Sequence, residues 1–111
     1  MDNPVAAEIL SDNGQTTVIL REDLDLYAVP VVKPIILDAV VGNPEGGFVI
    51  DLSRVSFVDS AGLAFLLTLR KNPSLDGRLS VHVGIKSHPE RVLQLTHLDA
   101  YINVVSVPTS E

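Results

Sequence analysis

The residues most able to do chemistry lie in one short stretch, Leu52-Ser53-Arg54-Val55-Ser56-Phe57-Val58-Asp59-Ser60-Ala61-Gly62-Leu63. A carboxylate and a hydroxyl stand side by side at Asp59 and Ser60, directly before a run of helix-forming residues. Ser and Asp are ordinary helix caps, worth about 1 kcal/mol each, and capping alone accounts for many Asp-Ser pairs. The functional alternative is a phosphate acceptor. A phosphoryl group on Ser60 would sit where unpaired helix amides and the helix dipole favour an anion, with Ala61 and Gly62 giving little steric cover. It would still add about two negative charges to a chain already at net charge −6. A partner packed against that helix end would then meet repulsion and a desolvation cost, so a single modification would act as a binding switch.

Other chemistries fit less well. A serine nucleophile elbow needs Gly-x-Ser-x-Gly, and Val58 occupies the position of its first glycine. His82, His88 and His97 are the available bases, none identifiable as such, and His82 within Val81-His82-Val83 reads as a strand side chain. The histidines have no metal-ligand spacing. A receiver-type phosphoaspartate made from Asp51 or Asp59 with Lys86 lacks the adjacent acidic pair after the first strand. The glycines from Gly42 to Gly47 lack both the spacing and the Lys-Ser/Thr ending of a phosphate loop. Neither a cofactor nor a metal is implied, and the chain reads as a binding protein rather than an enzyme.

The elements that must position Asp59 and Ser60 follow from the apolar pattern. Val5 to Leu10 and Thr16 to Leu20 are β-prone stretches around the turn signal Ser11-Asp12-Asn13-Gly14, which reads as a hairpin. Pro30 and Pro34 forbid a regular helix through the middle of residues 24–41. A helix is expected with Pro30 in its first turn, running to Val41 and ending at Gly42-Asn43-Pro44. Gly47 to Leu52 is a short apolar run suited to a strand buried on both faces. Ala61 to Lys71 reads as a helix stopped by Asn72-Pro73, with Arg70 and Lys71 in the last turn, where the dipole favours cations. A strand from Arg78 to Ile85, a helix from Pro89 to His97 capped by Ser87 or His88, and a strand from Ile102 to Val107 complete the chain.

The order β-β-α-β-α-β-α-β predicts an α/β fold. Its sheet is mixed and mostly parallel, with an N-terminal β-hairpin as the one antiparallel edge and right-handed crossovers elsewhere. From Leu63 through Leu69 only Thr68 is polar. Such a helix is either wholly buried or presents apolar surface to another molecule.

Composition sets the outer limits. A chain of 111 residues has room for one domain, with a core over about residues 5–107. At 46% hydrophobic and 20% charged it is a folded globule, since disordered chains have the opposite balance. The absence of cysteine permits a reducing cytoplasm. Eight scattered Lys and Arg against fourteen acids, with three Phe and two Tyr, argue against a nucleic-acid partner. No apolar run approaches the ~18 residues of a membrane span. Met1-Asp2-Asn3-Pro4-Val5 has neither the basic nor the apolar part of a signal peptide. A soluble, cytoplasmic chain is expected, monomeric or weakly dimeric.

The stretch from Phe48 to Leu63 resembles the signature of STAS domains, in particular of bacterial anti-sigma factor antagonists. Those proteins have a hydrophobic strand ending in Asp-Leu/Phe-Ser, here Asp51-Leu52-Ser53, then Val-x-Phe-hydrophobic-Asp-Ser-x-Gly-Leu, here Val55 to Leu63, and then an apolar helix. Residues 48–71 carry the match, and length and element order agree from Thr16 to Val107. The resemblance implies a single STAS-like domain with its helices packed mainly on one face of the sheet. It also implies a partner-switching protein: the unphosphorylated antagonist binds an anti-sigma factor that doubles as a serine-protein kinase, and phosphorylation releases it. Sigma-factor-dependent transcription is controlled in this way, with a serine phosphatase as a further partner.

Carried over by position, the phosphorylation site is Ser60, and Ala61 has no hydroxyl to compete with it. Asp59, Ala61, Gly62 and Leu63, together with Asp25, make up the implied partner-binding set. Asp25 enters through Glu22-Asp23-Leu24-Asp25, which aligns with the family's Gly-x-Leu-Asp. Glu22 stands in place of that glycine, adding bulk and charge where glycine permits a positive φ or a close approach. Pro30 and Pro34 also fall inside the family's first helix. A STAS subunit acting as a fixed partner in a lipid-transport or stress-signalling complex, with Ser60 only a cap, is the alternative.

Overall fold

The computed structural model describes residues 7–109. Its elements follow one another as β1 (Glu8–Asp12), β2 (Gln15–Ile19), α1 (Val29–Gly42), β3 (Phe48–Leu52), α2 (Ser60–Lys71), β4 (Leu79–Gly84), α3 (His88–Leu95) and β5 (Val104–Val107). Short 3-10 turns at Pro73–Leu75 and Leu98–Ala100 lead out of α2 and α3. The five strands lie in the sheet in chain order. β1 pairs antiparallel with β2, and every later pairing is parallel. The expected element order and the single antiparallel edge are both present.

Val5 and Ala6 of the expected first strand lie outside the described residues. That strand runs on to Asp12 because the turn is tighter than its signal: Asn13 and Gly14 alone reverse the chain, at φ 53° and 81°. Two positive φ values in a two-residue loop are those of a type I′ turn, which matches the twist of its strands and favours Asn-Gly.

Each parallel connection advances one strand in the same direction, so right-handed crossovers place all three helices on one face. Burial agrees with this. Val18, Phe48, Ile50, Leu52, Val81 and Val83 of the strands are buried in one cluster with Val32, Ile36 and Val40 of α1. Phe65, Leu66 and Leu69 of α2 and Leu93 of α3 join the same cluster. The helical positions recur every three or four residues, the stripe that a helix turns toward a core. Burial is thus the main reason α2 is so apolar: Phe65, Leu66 and Leu69 are at most 4% exposed, and each such side chain contributes about 1.5–3 kcal/mol. Leu63 and Leu67 are half-buried, and Ser60, Ala64 and Thr68 face solvent.

Helix α1 accommodates Pro34 in its interior. The carbonyl that Pro34 cannot engage is that of Pro30, in the first turn, and both prolines are exposed, so water can take up the missing bond. At the far end Asn43 ties the helix to the hairpin and to the approach to β3. Its Nδ2 donates to Thr16 Oγ1 at 2.9 Å and its Oδ1 accepts from the Gly46 amide at 2.9 Å. Among the described residues no helix is long and apolar enough to cross a membrane.

Candidate functional site

The chain leaves β3 at Leu52 and enters α2 at Ser60, beyond the carboxyl ends of the parallel strands, where open α/β sheets bind ligands and partners. The β2–α1 connection runs beside this loop. Leu24 and Val58 form a parallel bridge. The Leu24 amide donates to the Phe57 carbonyl at 3.0 Å, and the Asp59 amide donates to the Leu24 carbonyl at 3.2 Å. The two segments are thereby zipped together just before α2 begins.

Asp59 is the N-cap of α2 and also a link between the segments. Its Oδ1 accepts the Gly62 amide at 2.9 Å, and its Oδ2 accepts the Leu26 amide at 3.0 Å. These amides, the Gly62 bond foremost, hold the carboxyl below its ordinary value against the opposing effect of partial desolvation. A carboxylate that accepts backbone N–H groups is stabilised in its charged form, so Asp59 stays ionised beside Ser60. Asp25 does similar work one element earlier. Its Oδ1 accepts the Tyr27 and Ala28 amides at 3.1 and 2.9 Å, and its carbonyl accepts the Val29 amide at 3.0 Å, which closes the turn into α1.

Ser60 is the first residue of α2 and is exposed. The cap is Asp59, so the Ser60 hydroxyl is not spent on the helix. Nor is it set up as a nucleophile. An activated serine needs a base within hydrogen-bond reach, and among the described residues none is bonded to it. The histidine that joins the loop network, His88, uses Nδ1 to accept the Val58 amide at 3.2 Å. Among the described residues no three potential metal ligands come together.

Sequence reasoning missed part of the surface around Ser60. Leu26 is 62% exposed, Tyr27 82% and Phe57 43%. All three lie in the two zipped segments, and Leu26 is bonded directly to Asp59. His88, named with Ser87 as a candidate cap, does not cap α3; Ser87 does, and the His88 ring stacks on Phe57 with ring centroids 4.9 Å apart and planes 22° apart. An apolar residue in a loop has no periodicity to betray it. The available signal was the density of apolar residues in segments too short to be helix or strand.

The family model of the STAS domain matches residues 6–110. The chain belongs to the STAS domain family. Solved structures share the fold. An anti-sigma factor antagonist from Mycobacterium paratuberculosis is 24% identical, with a TM-score of 0.78 over 89% of this chain and 83% of that one. The anti-sigma factor antagonist SpoIIAA in its unphosphorylated form is 19% identical, with a TM-score of 0.60 over 94% and 89% of the two chains. The Bacillus cell fate determinant SpoIIAA in its phosphorylated form is 20% identical, with a TM-score of 0.61 over 95% and 92%.

Within this STAS domain the five residues expected to meet a partner are not equivalent. Asp25, Asp59, Ala61 and Leu63 are half-buried around Ser60. Gly62 is buried, and its visible part in the site is to admit close packing. A Cβ there would lie 2.3 Å from the Leu24 carbonyl oxygen and 2.9 Å from Val58 Cγ1, so the glycine lets the two loops close over α2. Glu22, in place of the family's glycine, is exposed and is not among the positive-φ residues. Its bulk goes into solvent without backbone strain. Pro30 lies in the first turn of α1, and the helix runs through Pro34, so neither proline removes the family's first helix.

Proposed function

We propose that this STAS protein is an anti-sigma factor antagonist that works by partner switching. Unmodified, it binds an anti-sigma factor with serine-kinase activity through the surface around Ser60. Transfer of the γ-phosphoryl group of ATP to Ser60 Oγ, with loss of the hydroxyl proton and release of ADP, ends that complex, so the state of one side chain governs sigma-factor-dependent transcription.

The observation that carries this reading is the exposed hydroxyl of Ser60 at the start of α2, uncommitted to capping, next to a carboxylate held in its ionised form. Leu26, Tyr27 and Phe57 supply exposed apolar area beside it, the kind of anchor that dominates binding energy at protein interfaces. A phosphate on Ser60 would bring about two further charges next to Asp59, which already occupies the Gly62 amide. A partner seated there would have to desolvate both anions, and that cost falls on the complex rather than on the fold. The solved relatives called anti-sigma factor antagonists, one of them in a phosphorylated form, support the same role.

The test is intact-mass spectrometry of the purified chain after incubation with ATP and the anti-sigma factor kinases of its own organism. A gain of one phosphate that is absent in Ser60→Ala is expected. No gain with any of them, or a gain retained by Ser60→Ala, contradicts the proposal.

A further inference from the structure

His88 is the first residue of α3, and Ser87 caps that helix by accepting the Glu90 amide at 3.2 Å. The imidazole looks away from its own helix. Its Nδ1 accepts the Val58 amide at 3.2 Å, and its ring lies on Phe57 with centroids 4.9 Å apart. Both contacts fall on the two residues that precede Asp59. Val58 is 3% exposed, so its amide has little access to water if the ring withdraws, and a buried N–H without an acceptor is costly.

We propose that His88 is a positioning residue for Ser60: its neutral ring latches Phe57 and Val58, fixing how the chain enters α2, and protonation of the ring opens the latch. The consequence for modification rests on the Ser60 reading above; the latch itself does not. An imidazole accepts at Nδ1 only while that nitrogen carries no proton, so the latched ring holds its hydrogen on Nε2. Protonation turns Nδ1 into a donor facing a donor.

The ionisable groups on the elements that meet the ring are Arg54 and Asp59 in the β3–α2 loop, Lys86 in the turn before α3, and Glu90 and Arg91 on α3 itself. Both carboxylates are already engaged. Asp59 holds the Gly62 and Leu26 amides, and Glu90 holds the Lys86 amide at 2.7 Å and the Ser106 hydroxyl at 2.6 Å. Among the described residues neither pairs with His88. A cation at the first position of a helix also meets the positive end of its dipole.

The experiment is nuclear magnetic resonance on the full, 15N-labelled chain between pH 8 and pH 5, the interval in which imidazoles commonly change charge. At the alkaline end a through-bond 15N–15N coupling between the Val58 amide and the His88 ring is expected. It should vanish at the acid end, where protection from amide exchange over residues 58–62 falls about tenfold, the equivalent of one hydrogen bond. His88→Phe keeps a stacking ring but no acceptor, and should show the reduced protection at both ends. His88→Asn places an oxygen acceptor near the position of Nδ1, and should restore protection at both ends. Equal protection in the parent and in His88→Phe, or a pH response that survives in His88→Asn, overturns the proposal. Ser60 phosphorylation is measured separately by intact mass, so a latch that behaves as described in a protein no kinase modifies supports the latch and overturns only the functional reading.

Discussion

The carboxylate of Asp59 accepts the amide of Leu26 at 3.0 Å, joining residues 33 apart in sequence across the mouth of the site. One side chain thus caps α2 and fixes the segment that leads into α1. Replacing it by asparagine leaves a single carbonyl oxygen for two amides, and alanine leaves none. Urea denaturation of the variants should therefore rank the parent above Asp59→Asn and Asp59→Asn above Asp59→Ala. Equal midpoints for the two variants would mean that only one of the bonds contributes.

The same carboxyl predicts a pH dependence. Its folded value lies below the ordinary 3.8 because the Gly62 and Leu26 amides bind the charged form. Glu90 lies below its ordinary 4.5 because the Ser106 hydroxyl and the Lys86 amide do the same. A group depressed in the fold contributes its full stabilisation above the unfolded value and loses it as pH falls through the folded one. In a His88→Asn background, which removes the imidazole, denaturant midpoints should hold steady from neutrality to about pH 5 and then decline through pH 4 and below. Asp59→Asn should show a shallower decline; an unchanged slope in that variant contradicts the assignment.

Gly62→Ala is a test of packing in which two effects oppose each other. Alanine favours a helix over glycine by about 1 kcal/mol. Its Cβ would meet the Leu24 carbonyl oxygen at 2.3 Å, and overpacking of this kind costs about 1–3 kcal/mol. A net loss of stability in calorimetry is expected, with the Leu24–Val58 bridge weakened. A stabilised variant would show that the loops can part at no cost.

Ser60→Ala should leave stability within about 0.5 kcal/mol of the parent, because an exposed residue that does not cap is removed. This separates the modification site from a plain helix cap, whose loss would cost about 1 kcal/mol. Thermal melts of the two proteins decide it.

Tyr27→Ala should weaken binding to the anti-sigma factor by more than about 1 kcal/mol, roughly fivefold, without altering the melting temperature. The side chain is 82% exposed, so it carries little of the fold. Titration calorimetry with unchanged affinity would remove Tyr27 from the interface.

What could be read in the sequence was local. Asn13-Gly14 specifies its own turn, the apolar run before Asp51 specifies a buried strand, and Asp59 specifies a helix start, each through neighbours in the chain. The helix from Ala61 to Lys71 was therefore legible to within one residue of its observed bounds. What escaped depended on distant partners. The use of the second Asp59 oxygen, the docking of His88 on Val58 and the need for glycine at position 62 all arise when parallel strands bring two loops into register. Neither residue type nor periodicity encodes that register. The packing role of Gly62 was for this reason not legible, and Leu26 and Tyr27, apolar in a loop, went unnoticed.

The most direct measurement of the central claim is the affinity of the anti-sigma factor kinase for the chain before and after stoichiometric phosphorylation, by titration calorimetry, with Ser60→Ala carried through the same ATP treatment. Tight binding by the untreated chain, its loss once phosphate is attached, and its retention by treated Ser60→Ala are the predicted results. A complex that survives phosphorylation of Ser60 with unchanged affinity would contradict the account.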